Sequence, residues 1–127
     1  MEWQFLVPNL AVRDVSAAQR WYQETLGLRA TWIWENNFGS VAKDHVELFL
    51  FESDDPKTAI CSLFVDDVDE IYERCRRSGC IASELELKPW GVREFSIEDP
   101  DGNMFRIGHS EGEPSQPEKF TVMSEAE

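Results

Sequence analysis

The chain has 127 residues, 42% of them hydrophobic, and its twelve basic and twenty-five acidic residues give a formal charge of -13. That length suits one folded domain with its own core, and the apolar fraction excludes a disordered chain. The negative charge argues against nucleic acid and anionic membrane as partners and favours a cationic small molecule, although acidity also serves solubility alone.

The stretch Phe5–Val12 alternates Leu6, Pro8, Leu10 and Val12 with Val7, Asn9 and Ala11, which predicts a first strand with Pro8 near its start or on an edge. Asp14 offers an N-cap. Val15, Ala18, Trp21 or Tyr22, and Leu26 recur at helical spacing and Gly27 stands at a C-cap position, so a helix is predicted over Val15–Leu26. Arg29–Glu35 is aromatic and β-branched, Glu35-Asn36-Asn37 supplies a turn, and Phe38–Ala42 and His45–Phe51 follow as strands.

Asp54-Asp55-Pro56 forms a turn before a strand over Thr58–Val65, and an amphipathic helix over Val68–Arg77 ends at Ser78-Gly79. Shorter strands are predicted over Cys80–Glu84, Val92–Ile97 and Met104–His109. The last two flank Asp99-Pro100-Asp101-Gly102-Asn103, where proline fixes φ and glycine admits a positive φ, as a tight hairpin requires. Each half therefore reads β, α, β, β, β, an α+β chain.

Ala11-Val12-Arg13-Asp14-Val15 is echoed by Phe64-Val65-Asp66-Asp67-Val68 at an offset of 53 residues, both at strand-to-helix junctions. Common residue types at two such junctions would give a similar match, but the repeated element order favours a duplicated module. One domain over 1–110 is expected, with modules of about 1–55 and 56–110, followed by a flexible acidic tail over 111–127.

No apolar run reaches the length of a membrane span, and MEWQFLVPNL has neither a basic n-region nor an extended h-region, so a cytoplasmic protein is expected. Cys61, Cys75 and Cys80 form no C-x-x-C pair and have no histidine nearby, so they read as reduced thiols and no zinc site is expected.

The motifs VPNLAVRDV, RWYQETLGL, ENNF, FVDDVDEIY and above all PWGVREFSIEDPDGN resemble the glyoxalase, bleomycin-resistance and dioxygenase superfamily, the vicinal oxygen chelate fold, over residues 5 to about 109. Within it, the Pro-Trp-Gly turn leading into Arg-Glu-Phe is most similar to the bleomycin-resistance proteins. The resemblance implies two tandem βαβββ modules with curled mixed sheets, and a homodimer with ligand crevices at the subunit interface.

In metal enzymes of the superfamily, histidine or glutamate ligands occupy set strand positions, which correspond here to Val7, Ile60 and Arg106, with Glu47 alone able to donate. Valine and isoleucine have no donor atoms and arginine brings a fixed cation, so no metal or other cofactor is expected. No triad of nucleophile, base and orienting group can be assembled either, and a non-enzymatic protein is expected.

The resemblance assigns the aromatic clamp for a flat ligand to Phe38 and Trp90. Strand phase adds Glu47, Phe49 and Phe51 from the fourth strand, Ser62 and Phe64 from the fifth, and Arg106 from the last, while Ile33 occupies a position that is aromatic in relatives. Trp32 and Trp34 share one strand face, opposite Ile33, and the sequence leaves open which face looks into the crevice. The expected function is sequestration of a cationic, aromatic, bleomycin-type antibiotic. The alternative is a small-molecule enzyme of the same superfamily, glyoxalase-like or thiol-transferase-like, with an atypical metal or none.

Overall fold

The computed structural model describes residues 1–111. It contains β1 (Asn9–Val12), α1 (Val15–Leu26), β2 (Arg29–Trp34), β3 (Phe38–Lys43), β4 (Val46–Glu52), β5 (Ile60–Phe64), α2 (Val68–Ser78), β6 (Ile81–Leu87), β7 (Val92–Glu98) and β8 (Met104–Ser110). The expected tail beyond Glu111 lies outside the described residues.

The strands form two four-stranded sheets, ordered β1-β4-β3-β2 and β5-β8-β7-β6. In each sheet the strand before the helix pairs parallel with the last strand, and the other pairings are antiparallel. This is the mixed βαβββ unit expected from the sequence, present twice.

Both helices are delimited by their own residues. Asp14 accepts from the Ala17 amide at 3.0 Å and Asp67 from the Glu70 amide at 3.1 Å, contacts that each contribute about 1 kcal/mol at an N-cap. Gly27 and Gly79 close the helices in the left-handed region, at φ 76° and 75°. In α2 the acids Asp69 and Glu70 in the first turn and the bases Arg76 and Arg77 in the last complement the helix dipole.

The first strand is shorter than its apolar pattern predicts. Pro8 has no amide hydrogen, and its carbonyl makes the last link toward β4 by accepting from Phe49 N–H at 2.9 Å. Before it, Phe5 and Leu6 are 79% and 93% exposed and lie outside any strand. The strand predicted from His45 begins one residue later, since Asp44 takes a positive φ of 53° in the turn. The strand predicted from Cys80 also begins one residue later, because the Cys80 amide bonds back to the Cys75 carbonyl at 3.3 Å to finish α2.

Each helix covers one sheet face. Val15, Ala18, Tyr22 and Leu26 of α1 lie in the core with Val41, Leu48 and Leu50, and Val68 and Cys75 of α2 with Phe95, Ile97, Phe105 and Ile107. The modules meet through α1 and α2 and through the β7–β8 turn.

That turn is a buried polar joint. Asp99 accepts from the Asp101 and Asn103 amides at 2.9 and 2.8 Å, from Asn103 Nδ2 at 3.0 Å and from the Tyr22 hydroxyl at 2.5 Å. Asn103 also donates to the Ala11 carbonyl at 3.0 Å and accepts from the Ala59 amide at 2.9 Å, so it ties the ends of β1 and β5 together. Arg74 of α2 adds a cap to α1, donating to the Gln23 and Glu24 carbonyls at 3.4 and 3.1 Å.

Candidate functional site

Because side chains alternate across a strand, the residues that bury against the helices leave the intervening ones on the opposite face, which no helix or strand among the described residues covers. In the first sheet the pairs Phe38↔Phe51, Ser40↔Phe49 and Ala42↔Glu47 occupy that face. An irregularity between Ala30 and Trp32 resets β2, so Trp32 pairs with Ser40 and Trp34 with Phe38. Both tryptophans thereby join the uncovered face.

Three rings make a mutual edge-to-face cluster there, with centroids 5.2 Å apart for Trp32–Phe38 and 5.4 Å for both Trp32–Phe49 and Phe38–Phe49. Trp34 and Phe51 flank the cluster and remain exposed. Beneath the rings, the Ser40 hydroxyl donates to Glu47 Oε2 at 2.6 Å, which occupies one carboxylate oxygen. The Gln19 amide of α1 donates to the Trp32 and Ser40 carbonyls at 2.9 and 3.1 Å and pins β2 to β3 below the aromatic wall.

Ile33 falls outside this group. It pairs with Gly39, whose missing Cβ would lie 2.8 Å from Gln19 Nε2 and 3.1 Å from Val15 Cγ1, so this is the helix side of the sheet. The expectation that Ile33 lines the same crevice as Phe38 is corrected by this register. Trp32 and Trp34 take its place, and the strand irregularity that decides their phase has no marker in the sequence.

In the second sheet Ile60↔Met104 and Ser62↔Arg106 lie on the uncovered face, and Phe64 continues the row beside Gly108. Ile60 and Phe64 are 65% and 61% exposed. His109 lies on the other side, with Nδ1 3.2 Å from the Val65 carbonyl.

Trp90 sits in the β6–β7 turn, topologically matching the β2–β3 turn that precedes Phe38. Gly91 permits the reversal with φ 86°, and its amide donates to the Lys88 carbonyl at 3.0 Å. The half-exposed indole is steered by a bond from Nε1 to Glu94 Oε1 at 3.1 Å. Among the described residues of the single chain, the ring contacts of Phe38 are with Trp32 and Phe49, and Trp90 has none.

A separate cleft of about 380 Å³ opens at the module joint, floored by Leu26, Leu28, Leu63 and Ile71 and edged by Asp44 and Asp66. Of the expected site residues only Phe64 lines it, so this cleft is distinct from the aromatic wall.

The thiols are poor nucleophiles. Burial pushes the Cys75 thiol up to about 12, helped by the nearby Cys80, and burial also raises Cys61 and Cys80. Among the described residues no three His, Cys, Asp or Glu side chains gather where they would hold a metal ion. Val7 lies outside β1, and Val7, Ile60 and Arg106, the positions to which the resemblance assigns metal ligands, offer no donor set that fits a divalent cation.

Residues 4–107 match the family model described as Glyoxalase/Bleomycin resistance protein/Dioxygenase superfamily. A bleomycin resistance protein of Geobacillus stearothermophilus is 25% identical over 120 residues, spanning 77% of this chain and 90% of that one. One from Klebsiella pneumoniae is 28% identical over 125 residues, spanning 82% and 90%. Among solved structures, TioX from Micromonospora sp. ML1 superposes with a TM-score of 0.76 at 21% identity, covering 85% of this chain and 99% of that one. Lactoylglutathione lyase from Agrobacterium tumefaciens gives 0.70 at 20% identity, covering 84% and 92%. At these identities the structural likenesses show the fold alone. With the matched span covering most of its length, the chain belongs to the glyoxalase/bleomycin resistance protein/dioxygenase superfamily.

Proposed function

We propose that this protein binds a flat aromatic antibiotic of the bleomycin type and withholds it without altering it. The observation that carries the reading is the Trp32–Phe38–Phe49 ring cluster on an uncovered sheet face, flanked by exposed Trp34 and Phe51. Such rings offer a planar ligand an adaptable apolar wall, and each aromatic contact adds about 0.5–1.5 kcal/mol beyond area burial. The name shared by the curated relatives supports the same class of ligand.

Exposed apolar side chains on both sheets, Trp34 and Phe51 on one and Ile60 and Phe64 on the other, are the surface a second copy would cover. In this reading the protein is a homodimer. Phe38, Glu47, Phe49 and Phe51 of one subunit face Ser62, Phe64, Trp90 and Arg106 of its partner across the crevice. The net charge of -13 raises the encounter rate with a cationic drug, an effect that salt weakens.

Titration with metal-free bleomycin, followed by tryptophan fluorescence and by heat, tests the reading. Saturation with one drug per crevice is expected at micromolar concentration or below. A folded dimer giving no saturable signal overturns it, and so does turnover restored by stoichiometric divalent metal, which would make the chain a superfamily enzyme.

A further inference from the structure

The two uncovered faces differ chemically at matching positions. Across the first sheet one row reads Asn9, Phe49, Ser40 and Trp32, and across the second the equivalent row reads Ser62, Arg106 and Ser96. Asn9 and Ser62 are separated by the same 53 residues as the repeated strand-to-helix junctions. One wall is therefore aromatic, and the other centres on a guanidinium with a hydroxyl on each neighbouring strand.

Arg106 lies mid-sheet, since β8 runs between β5 and β7, and it is exposed. Like Arg20, Arg29 and Arg77, Arg106 makes no ion pair among the described residues, and it alone of these four lies on a sheet face away from the helices with serines on both neighbouring strands. Glu94 and Glu98 stand diagonal to it on β7, but Glu94 is engaged by the Trp90 indole and neither bridges to Arg106.

We propose that Arg106, with Ser62 and Ser96, is the receptor for an acidic group, a carboxylate or sulfonate, carried by the flat aromatic ligand. The inference rests on one part of the reading above, that these faces bind a flat aromatic ligand, and it narrows that ligand to one carrying an acid beside the cationic group that the acidic chain attracts. A guanidinium presents planar paired donors that match two oxygens of such an anion, and serine hydroxyls rotate to supply more. The acidity of the whole molecule acts on encounter and is screened beyond about 8 Å at physiological ionic strength, so contacts within hydrogen-bond reach decide which group is held. Ile60 and Met104, the neighbouring pair on this face, would exclude water from the anion once a ligand covers it.

Two fluorescent probes with one ring system test this. Anilinonaphthalene sulfonate carries the anion, and phenylnaphthylamine lacks it. The wild-type protein is expected to bind the sulfonate about tenfold more tightly, and Arg106→Gln to abolish that preference by weakening the sulfonate about tenfold relative to phenylnaphthylamine. Arg106→Lys should retain part of the preference. Equal wild-type affinities, or a preference that survives Arg106→Gln, overturn the anion receptor and leave the aromatic wall standing. Failure of both probes to bind, with the fold confirmed by circular dichroism, overturns the wall and the receptor together.

Discussion

The Tyr22 hydroxyl donates to Asp99 Oδ2 at 2.5 Å in the protein interior, joining the helix of the first module to the last hairpin of the second. Tyr22 is fully buried and Asp99 is 5% exposed, so the bond has no water to replace it. The Tyr22 ring also meets Phe105 edge-on at 5.8 Å. Tyr22→Phe keeps that packing and removes only the donor, and should destabilise the fold by about 1–3 kcal/mol through a buried carboxylate left short of one partner. The midpoint of urea unfolding reads this directly, and a change under about 0.5 kcal/mol would show that Asp99 is satisfied by the turn amides alone.

Alkaline pH should loosen the same interior. Burial, then Asp99, raises Tyr22 above the ordinary tyrosine value of 10.0, and burial moves Cys75 from 9.0 to about 12. Both groups hold their protons more tightly folded than unfolded, so their contribution is complete below the unfolded values. For Cys75 it declines as pH rises from about 9 through about 12, and for Tyr22 from about 10 upward. Each group lowers stability by about 1.4 kcal/mol per pH unit within its window. Urea midpoints should therefore be flat to about pH 8.5 and then fall, less steeply above pH 10 in Tyr22→Phe. A flat midpoint through pH 11 would contradict this.

The turn before Phe38 contains a correctable strain. Glu35 and Asn36 have φ of 50° and 58°, and the Asn37 amide closes onto the Trp34 carbonyl at 3.0 Å, a type I′ geometry. Glutamate is a poor residue for that region, whereas asparagine tolerates it. Glu35→Asn should raise stability by roughly 0.5–1 kcal/mol without changing ligand binding. Thermal unfolding checks the gain, and a lower melting temperature would mean that the glutamate side chain has a compensating contact.

Phe38→Ala removes the ring shared by two contacts of the aromatic cluster. Under the proposed function, bleomycin affinity should fall at least fivefold, about 1 kcal/mol or more. Ile33→Ala, on the helix side of β2, should leave affinity within about twofold. Calorimetric titration of both variants decides the matter. An Ile33 effect as large as that of Phe38 would place the ligand on another surface.

Much of the fold was legible because its punctuation is local. Asp14 and Gly27 bound α1, Asp67 and Gly79 bound α2, and each acts through groups within a few residues of itself. The β1 boundary was not, because Phe5 and Leu6 have the pattern of a strand but no pairing partner beyond Pro8. The phase of Glu47, Phe49 and Phe51 followed from simple alternation with Leu48 and Leu50. That of Trp32 and Trp34 depended on where the β2–β3 ladder slips, a property of two strands together.

The sequence by itself determined the superfamily, the duplicated βαβββ order, the two capped helices and the absence of donor atoms at Val7 and Ile60, since these depend on residue identity and short-range spacing. Only the tertiary structure decided that Trp32 and Trp34 join Phe38 and Phe49 while Ile33 turns away. It also showed that Asp99 and Asn103, the ends of the Asp-Pro-Asp-Gly-Asn hairpin turn, form a buried joint between modules. Both depend on which side chains meet across strands or at separations such as the 77 residues between Tyr22 and Asp99, where packing and register set the partner.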